Sequence, residues 1–318
     1  MGGIGLVLGG GGLVGHAWHL GVGAALADAT GWDARRAAVV VGTSAGAVTG
    51  AELRAGFHPY DLLRPGVGAA PLSRPHPVVG PPSRRPACLS LAVRALAPWR
   101  LRPGLAAAGL LPRGRRDPAI IRDAVAGLSD RRWPEDPLWV CAVRLDDGRR
   151  VVFGRDAGVH VDVGTAVAAS CAMAGFFTPV PVGGHDHVDG GAHSATNADV
   201  LAGAGLDLVV VSAPLSLRPA AGQRRLRRRP PGPARAQRLA HAARLRRELL
   251  ALRRQGTPVL VLEPEPDDLA VMGGIAASMD FDRRVAVAEQ SRAGVRRRLD
   301  RPEVAWERSA LAAAAQRR

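Results

Sequence analysis

The apolar positions of this chain alternate between short unbroken runs and stripes at helical spacing. Ile4 to Leu8 is an apolar run closed by glycine, the pattern of a strand buried on both faces. Leu13 to Ala27 repeats its apolar residues at helical spacing, Ala37 to Val41 is a second β-branched run, and Ala45 to Ala55 again predicts a helix. Strand, glycine loop, helix, strand, tight turn, helix is how a parallel α/β sheet begins. Asp117-Pro118 predicts the next helix start, with the aspartate as N-cap and proline in the first turn, running to Gly127. Leu138 to Val143 and Val151 to Phe153 predict strands joined at an Asp146-Asp147-Gly148 hairpin turn. Val163 to Met173 predicts a small-residue helix, Asn197 to Gly203 a short helical stretch and Leu206 to Ser212 a buried strand. Val259 to Leu262 is a last strand, and Val285 to Leu299 a closing helix.

Two stretches break this alternation. Residues 59–116 are dominated by Pro and Arg and read as an insertion or cap, with one helix at Leu89 to Ala97. Residues 214–256 hold 13 Arg and a single acid, Glu248, so most of the chain's net charge of +15 lies there; its second half, Ala234 to Arg254, predicts a helix. The Ala-rich end within 300–318 predicts a frayed tail. The chain therefore reads as one domain over 1–318 with two insertions, since 318 residues suffice for a single large core.

Composition changes this picture little. Every basic residue is Arg and none is Lys, in a chain also rich in Ala, Gly and Pro, so codon bias accounts for much of the basicity. Three readings of 214–256 follow in order: a solvated surface insertion, a contact with an anionic membrane, and nucleic-acid binding. The last is not expected, because the segment contains no aromatic residue on which bases could stack. Three widely spaced cysteines, Cys88, Cys141 and Cys171, build no disulfide framework or zinc pattern. Residues 1–27 carry no Asp, Glu, Lys or Arg, yet they lack a basic leader and are broken by glycines and histidines. Neither a signal peptide nor a transmembrane helix is expected, and the chain reads as cytoplasmic, with peripheral membrane contact allowed.

Candidate chemistry lies in three glycine-bearing turns. Gly42-Thr43-Ser44-Ala45-Gly46 fits G-x-S-x-G between a predicted strand and a predicted helix, the context of a nucleophile elbow. Small residues on either side let the chain turn sharply at Ser44, and the helix dipole behind it favours an alkoxide. Gly10, Gly11, Gly12 and Gly15 form a loop after the first strand, readable as a dinucleotide loop or as a set of oxyanion donors. A dinucleotide site wants an acid at the end of the second strand, and Ser44 stands there instead, which favours the oxyanion reading. Asp189-Gly190-Gly191 offers a carboxylate on a tight turn, able to act as general base to a serine.

Together these pieces resemble the patatin-like phospholipase family, in which a glycine-rich oxyanion loop, G-x-S-x-G and D-G-[GA] follow one another. A fourth stretch, Ala169 to Val180, is similar to the apolar segment that precedes the family's aspartate. The resemblance covers roughly residues 3–55 and 117–213. It implies a three-layer α/β/α sandwich with a mostly parallel sheet. It also implies a Ser44–Asp189 dyad, an oxyanion hole in the first loop, an acyl-enzyme, and neither metal nor organic cofactor. The implied substrates are lipid or other carboxylic esters. Val14 stands where many members carry Arg or Lys, and Ala174 where proline is usual. A nucleotide-binding α/β protein, or a silent relative that binds an anionic partner through the Arg tract, are the alternatives. His16, His19, His185, His187 and His193 are candidates for a competing Ser-His-Asp triad, and His185, His187 and Asp189 alternate as a conceivable metal trio.

Overall fold

The computed structural model describes residues 2–63, 76–81, 84–96, 102–158, 160–217, 232–274 and 277–317. The charge-free opening supplies the centre of the molecule. Strand β1 (Ile4–Leu8) and helix α1 (Gly12–Thr30) are buried along almost their whole length, and such positions tolerate no unpaired charge. Strand β2 (Val39–Gly42) and helix α2 (Ala45–Arg54) follow, then α3 (Leu89–Ala95), α4 (Pro103–Leu110) and α5 (Ala119–Ala126). The chain continues through β3 (Leu138–Arg144), β4 (Arg150–Phe153), α6 (Val163–Cys171), β5 (Val180–Val182), β6 (His185–Asp189) and β7 (Leu208–Ser212). It closes with α7 (Pro233–Arg254), β8 (Val259–Leu262), α8 (Pro266–Met272), α9 (Arg284–Leu299) and α10 (Ala305–Gln316).

One sheet runs β5-β6-β3-β2-β1-β7-β8, with β4 paired to β3. The β3-β2-β1-β7-β8 portion is parallel, whereas β4, β6 and β5 add antiparallel pairs at one side. Period-two alternation sorts the strands between two cores. Leu6, Leu8, Val40, Val140 and Val210 pack with α1, α2, α5, α6 and α9 on one face. Val7, Val41, Cys141, Val209 and Val211 pack with α7 and the turn at 198–201 on the other. The architecture is the expected three-layer α/β/α sandwich. A smaller cluster, with Leu91 and Leu105 set against Val143 and Val188, seats α3 and α4 over the end of the sheet.

Four expectations need correction. The helix after Asp117 starts one residue late: Pro118 is the N-cap, and Asp117 Oδ1 accepts the Ala119 N–H at 2.9 Å from outside it. The Pro/Arg-rich stretch carries a second helix, α4, where only one is expected. The Ala-rich tail is not frayed as expected. It forms α10, which rests on α1 and fully buries Leu311, while Arg36 donates to the Ala315 carbonyl at 3.0 Å. The described half of the Arg-rich stretch is no solvated insertion either, because Leu245, Leu249 and Leu252 of α7 are buried in the second core beside the turn at 198–201. Its only acid, Glu248, is buried and accepts the Thr196 hydroxyl at 2.6 Å and the Ala198 N–H at 3.0 Å. The first half of that stretch, 218–231, lies outside the described residues.

Candidate active site

Strand β2 delivers Ser44. The strand ends at Gly42, and the chain turns through Thr43 and Ser44 directly into α2. Ser44 sits at φ 53° and ψ −119°, a backbone state that costs a residue with a side chain about 1–3 kcal/mol and persists only when its surroundings enforce it. The surroundings here are backbone. A Cβ on Gly46 would collide with the Leu8 carbonyl of β1, and one on Gly42 with the start of α2. The Ser44 N–H donates to Ser170 Oγ at 2.9 Å, and that hydroxyl donates to the Cys141 carbonyl at 2.7 Å. Helix α6 thus ties the turn to β3. From the other side, Asn197 Nδ2 donates to Thr43 Oγ1 at 3.1 Å.

Strand β6 delivers the carboxylate. Asp189 pairs across from Ala142 of β3, and the next residue, Gly190, passes so close to the Cys141 carbonyl that a Cβ would collide with it. Asp189 Oδ1 accepts the Gly191 N–H at 2.7 Å, and the Ser44 hydroxyl lies close enough to steady the ionised carboxyl. Enclosure by protein pushes Asp189 up to about 6, against the pull of both groups. The carboxyl is therefore ionised at neutral pH yet basic enough to take a proton. The Cys171 thiol is buried near Ser44, and burial and the neighbouring Asp189 hold it far above the ordinary thiol range. Cys171 stays a neutral thiol beside the serine.

The glycine loop divides its labour differently from expectation. The Gly10 N–H is committed to the Ala195 carbonyl at 2.8 Å and the Gly15 N–H to the Gly11 carbonyl at 2.9 Å, so neither can donate to an oxyanion. Gly10 packs directly beside the serine, where a Cβ would stand in ordinary contact, 3.4 Å from the Ser44 Cβ. The N–H groups of Gly11 and Gly12 have no partner among the described residues. They open the N-terminus of α1 beside Ser44 and Ala45, and all four residues line one cavity. Two helix N-termini thus converge where negative charge could gather. Val14, at the position of the family's cation, is buried; its N–H is held by the Ser278 carbonyl at 3.0 Å, so the loop is braced through backbone.

The histidines do not gather at Ser44. His19 bridges Ser212 Oγ and the Gly9 carbonyl, both at 2.7 Å, and burial lowers it to about 3, so it is a neutral strut under the loop. His185 pairs with Asp146 at 2.7 Å, and the His187 ring is buried against Phe153. His193 meets Asn197 and Arg244, and burial with the cations Arg150 and Arg244 lowers it to about 4. His16 lines the cavity but is tied to Glu52 at 2.6 Å. Among the described residues, no group of three or more His, Cys, Asp or Glu is arranged to hold a metal ion.

The cavity above Ser44 measures about 470 Å³ and is largely apolar, with Leu13, Val48, Ile121, Met173 and Phe177 in its wall. His76, Ala107, Ala108 and Leu111, all from the Pro/Arg-rich stretch, complete it, together with Gln237 and His241 of α7. The motifs point to Ser44 and Asp189, and the fold sets both in the wall of this cavity. Ser170, Cys171 and Asn197 were not legible in the sequence, because their roles arise only from tertiary contact; the sole signal was that Ser170 and Cys171 fall in the stretch resembling a family motif.

A family model described as patatin-like phospholipase matches residues 6–202. Among solved structures, the type III effector protein ExoU is similar, with a TM-score of 0.39 and 16% sequence identity over 93% of this chain and 52% of that one. This chain thus spans about half the length of ExoU. No curated protein matches it.

Proposed function

The chain belongs to the patatin-like phospholipase family, and from that premise we propose that it is a serine acyl hydrolase that cleaves carboxylic esters of lipids with a Ser44–Asp189 dyad. Asp189 takes the Ser44 proton as Oγ attacks the ester carbonyl. The resulting oxyanion is met by the Gly11 and Gly12 N–H groups and by the dipoles of α1 and α2. Collapse expels the alcohol, which carries away the proton held by Asp189, and leaves the acyl group on Ser44. A water then gives its proton to Asp189 and attacks the acyl-enzyme, releasing the acid and restoring Ser44. Neither metal nor organic cofactor enters this sequence.

The observation that carries the reading is the half-buried Asp189 carboxyl, raised to about 6, set beside Ser44 in the wall of one largely apolar cavity. The apolar wall suits an acyl chain, and His76, Ala107, Ala108 and Leu111 of the Pro/Arg-rich stretch cover part of it. Exposed Arg246, Arg247, Arg253 and Arg254 of α7 offer a peripheral contact for anionic lipid. A panel of esters graded in chain length, offered as monomers and as micelles, tests the activity. Turnover should vanish in Ser44→Ala and fall at least about 10²-fold in Asp189→Asn, since a general base typically supplies 10²–10⁴-fold. Near-normal turnover in Asp189→Asn would assign the base elsewhere.

A further inference from the structure

The Pro/Arg-rich stretch exposes apolar side chains where a surface helix ordinarily turns polar ones outward. Helix α3 buries Leu91, Ala92 and Ala95. Leu89, Val93 and Leu96, spaced by four and three residues, share the opposite face and are 58%, 64% and 49% exposed. That face does not stand alone. The Ala87 N–H donates to the Leu111 carbonyl and the Cys88 N–H to the Gly109 carbonyl, both at 3.0 Å, which sets the first turn of α3 beside the end of α4. Leu110 and Leu111 are exposed there as well, and Leu111 lines the cavity above Ser44 together with the exposed Met173. Exposed apolar side chains therefore run from α3 to the rim of the cavity.

The same stretch is basic. Residues 62–116 hold ten Arg and neither Asp nor Glu. Among the described residues, Arg84, Arg94, Arg102, Arg113 and Arg115 are exposed. Of the acids that meet the stretch from β6 and from the turn after β3, Asp186 is paired with Arg113 at 2.6 Å and Asp146 with Arg144 at 3.1 Å. A surface that is apolar and cationic at once matches an anionic bilayer, whose hydrocarbon takes the apolar side chains and whose head groups take the arginines. An acidic protein would match the charge, but a bilayer also supplies the acyl chains that the adjoining cavity suits. We propose that α3 and the end of α4 form a bilayer-docking face, which inserts Leu89, Val93 and Leu96 into an anionic membrane and turns the cavity rim at Leu111 and Met173 toward the lipid. The passage of lipid across that rim rests on the reading of the cavity as an ester site; the docking face itself does not. Charge attraction of the kind offered by α7 would leave these apolar side chains in water, whereas insertion removes them from it.

Insertion is read on the full chain carrying Ser44→Ala, so that no lipid is consumed, with Cys88→Ser and Val93→Cys and a nitrobenzoxadiazole label on the new thiol. The same chain without Val93→Cys gives the background from the other cysteines. Vesicles of phosphatidylcholine and phosphatidylserine should shift the label's emission to the blue, and a doxyl-bearing lipid should quench it. In low-salt sedimentation, the triple variant Leu89→Ser, Val93→Ser, Leu96→Ser should lose at least about tenfold in affinity for these vesicles. Its hydrolysis of a water-soluble ester should match that of the unaltered protein, since none of the three side chains lines the cavity. Four results would overturn the proposal: no binding to these vesicles, an unshifted emission on vesicles that do bind, an unchanged affinity in the triple variant, or a label already blue-shifted without vesicles. The last would mean that a second copy or another part of this chain covers the face. If the triple variant does not fold, the emission of the labelled chain still decides. Insertion of the label together with no hydrolysis of any ester by the unaltered protein would sink the ester reading and leave the docking face standing.

Discussion

The proposed chemistry rests on a serine at φ 53° and a carboxyl held at about 6. The strain at Ser44 is sustained by neighbours that cannot move, the Leu8 carbonyl on one side and the Ser170 hydroxyl on the other. The raised carboxyl fixes the pH response. Below about 6 Asp189 is protonated and cannot accept the Ser44 proton, so kcat/KM should fall about tenfold for each further pH unit on the acid side and level off above about 7. A pH–rate profile with a water-soluble ester checks this, and the acid limb should disappear in Asp189→Asn. At this scale the sequence was most readable. The glycines of the three turns are local features, and at Gly11, Gly12, Gly42, Gly46 and Gly190 a side chain would strike neighbouring backbone. What could not be read was which glycine N–H groups remain free, since Ala195, which occupies Gly10, is distant in the chain.

Elements were legible in proportion to how strongly their residues commit to burial. The run Val259–Leu262 coincides with β8 because four consecutive apolar residues admit little but a buried strand. The tail α10 escaped notice because alanine reads as neither core nor surface; Leu311 is its one fully buried side chain among the described residues, with Ala310, Ala314 and Ala315 packed partly beside it. Leu311→Ala should therefore destabilise the protein by roughly 2–3 kcal/mol, at the low end for a buried leucine near a chain end, as measured by urea denaturation. Helix α4 was hidden for a related reason, its small residues being set in a Pro- and Arg-rich stretch. Helix α6 makes a different contribution, through Ser170. Removing that hydroxyl strands the Ser44 N–H and the Cys141 carbonyl together, a cost of about 1–3 kcal/mol. Ser170→Ala should accordingly lower both Tm and kcat, whereas Ser170→Thr, which keeps the hydroxyl, should restore part of each.

At the scale of the whole molecule, the net charge of +15 is concentrated in a stretch whose described half is a structural helix. Glu248 and Arg238 face inward and dock α7, leaving the outer arginines free to meet anionic surfaces. Association with phosphatidylserine-containing liposomes should drop sharply between low and physiological salt, in a sedimentation assay, because contacts between exposed charges are screened. Absence of association even at low salt would remove the membrane contact from the account. The sandwich itself, with its charge-free opening at the centre of the sheet, was foreseeable from the order of strands and helices. The assembly of the cavity from the Pro/Arg-rich stretch and α7 was not, since neither carries a pattern that points to the other.

All of this converges on whether Ser44 is the nucleophile and Asp189 its base. The most direct test is to treat the protein with a fluorophosphonate, locate the adduct by peptide mass spectrometry, and compare labelling rates with Asp189→Asn. The account predicts one adduct, on Ser44, formed at least about 10²-fold more slowly in the variant; an adduct on another residue, or none in the unaltered protein, would contradict it.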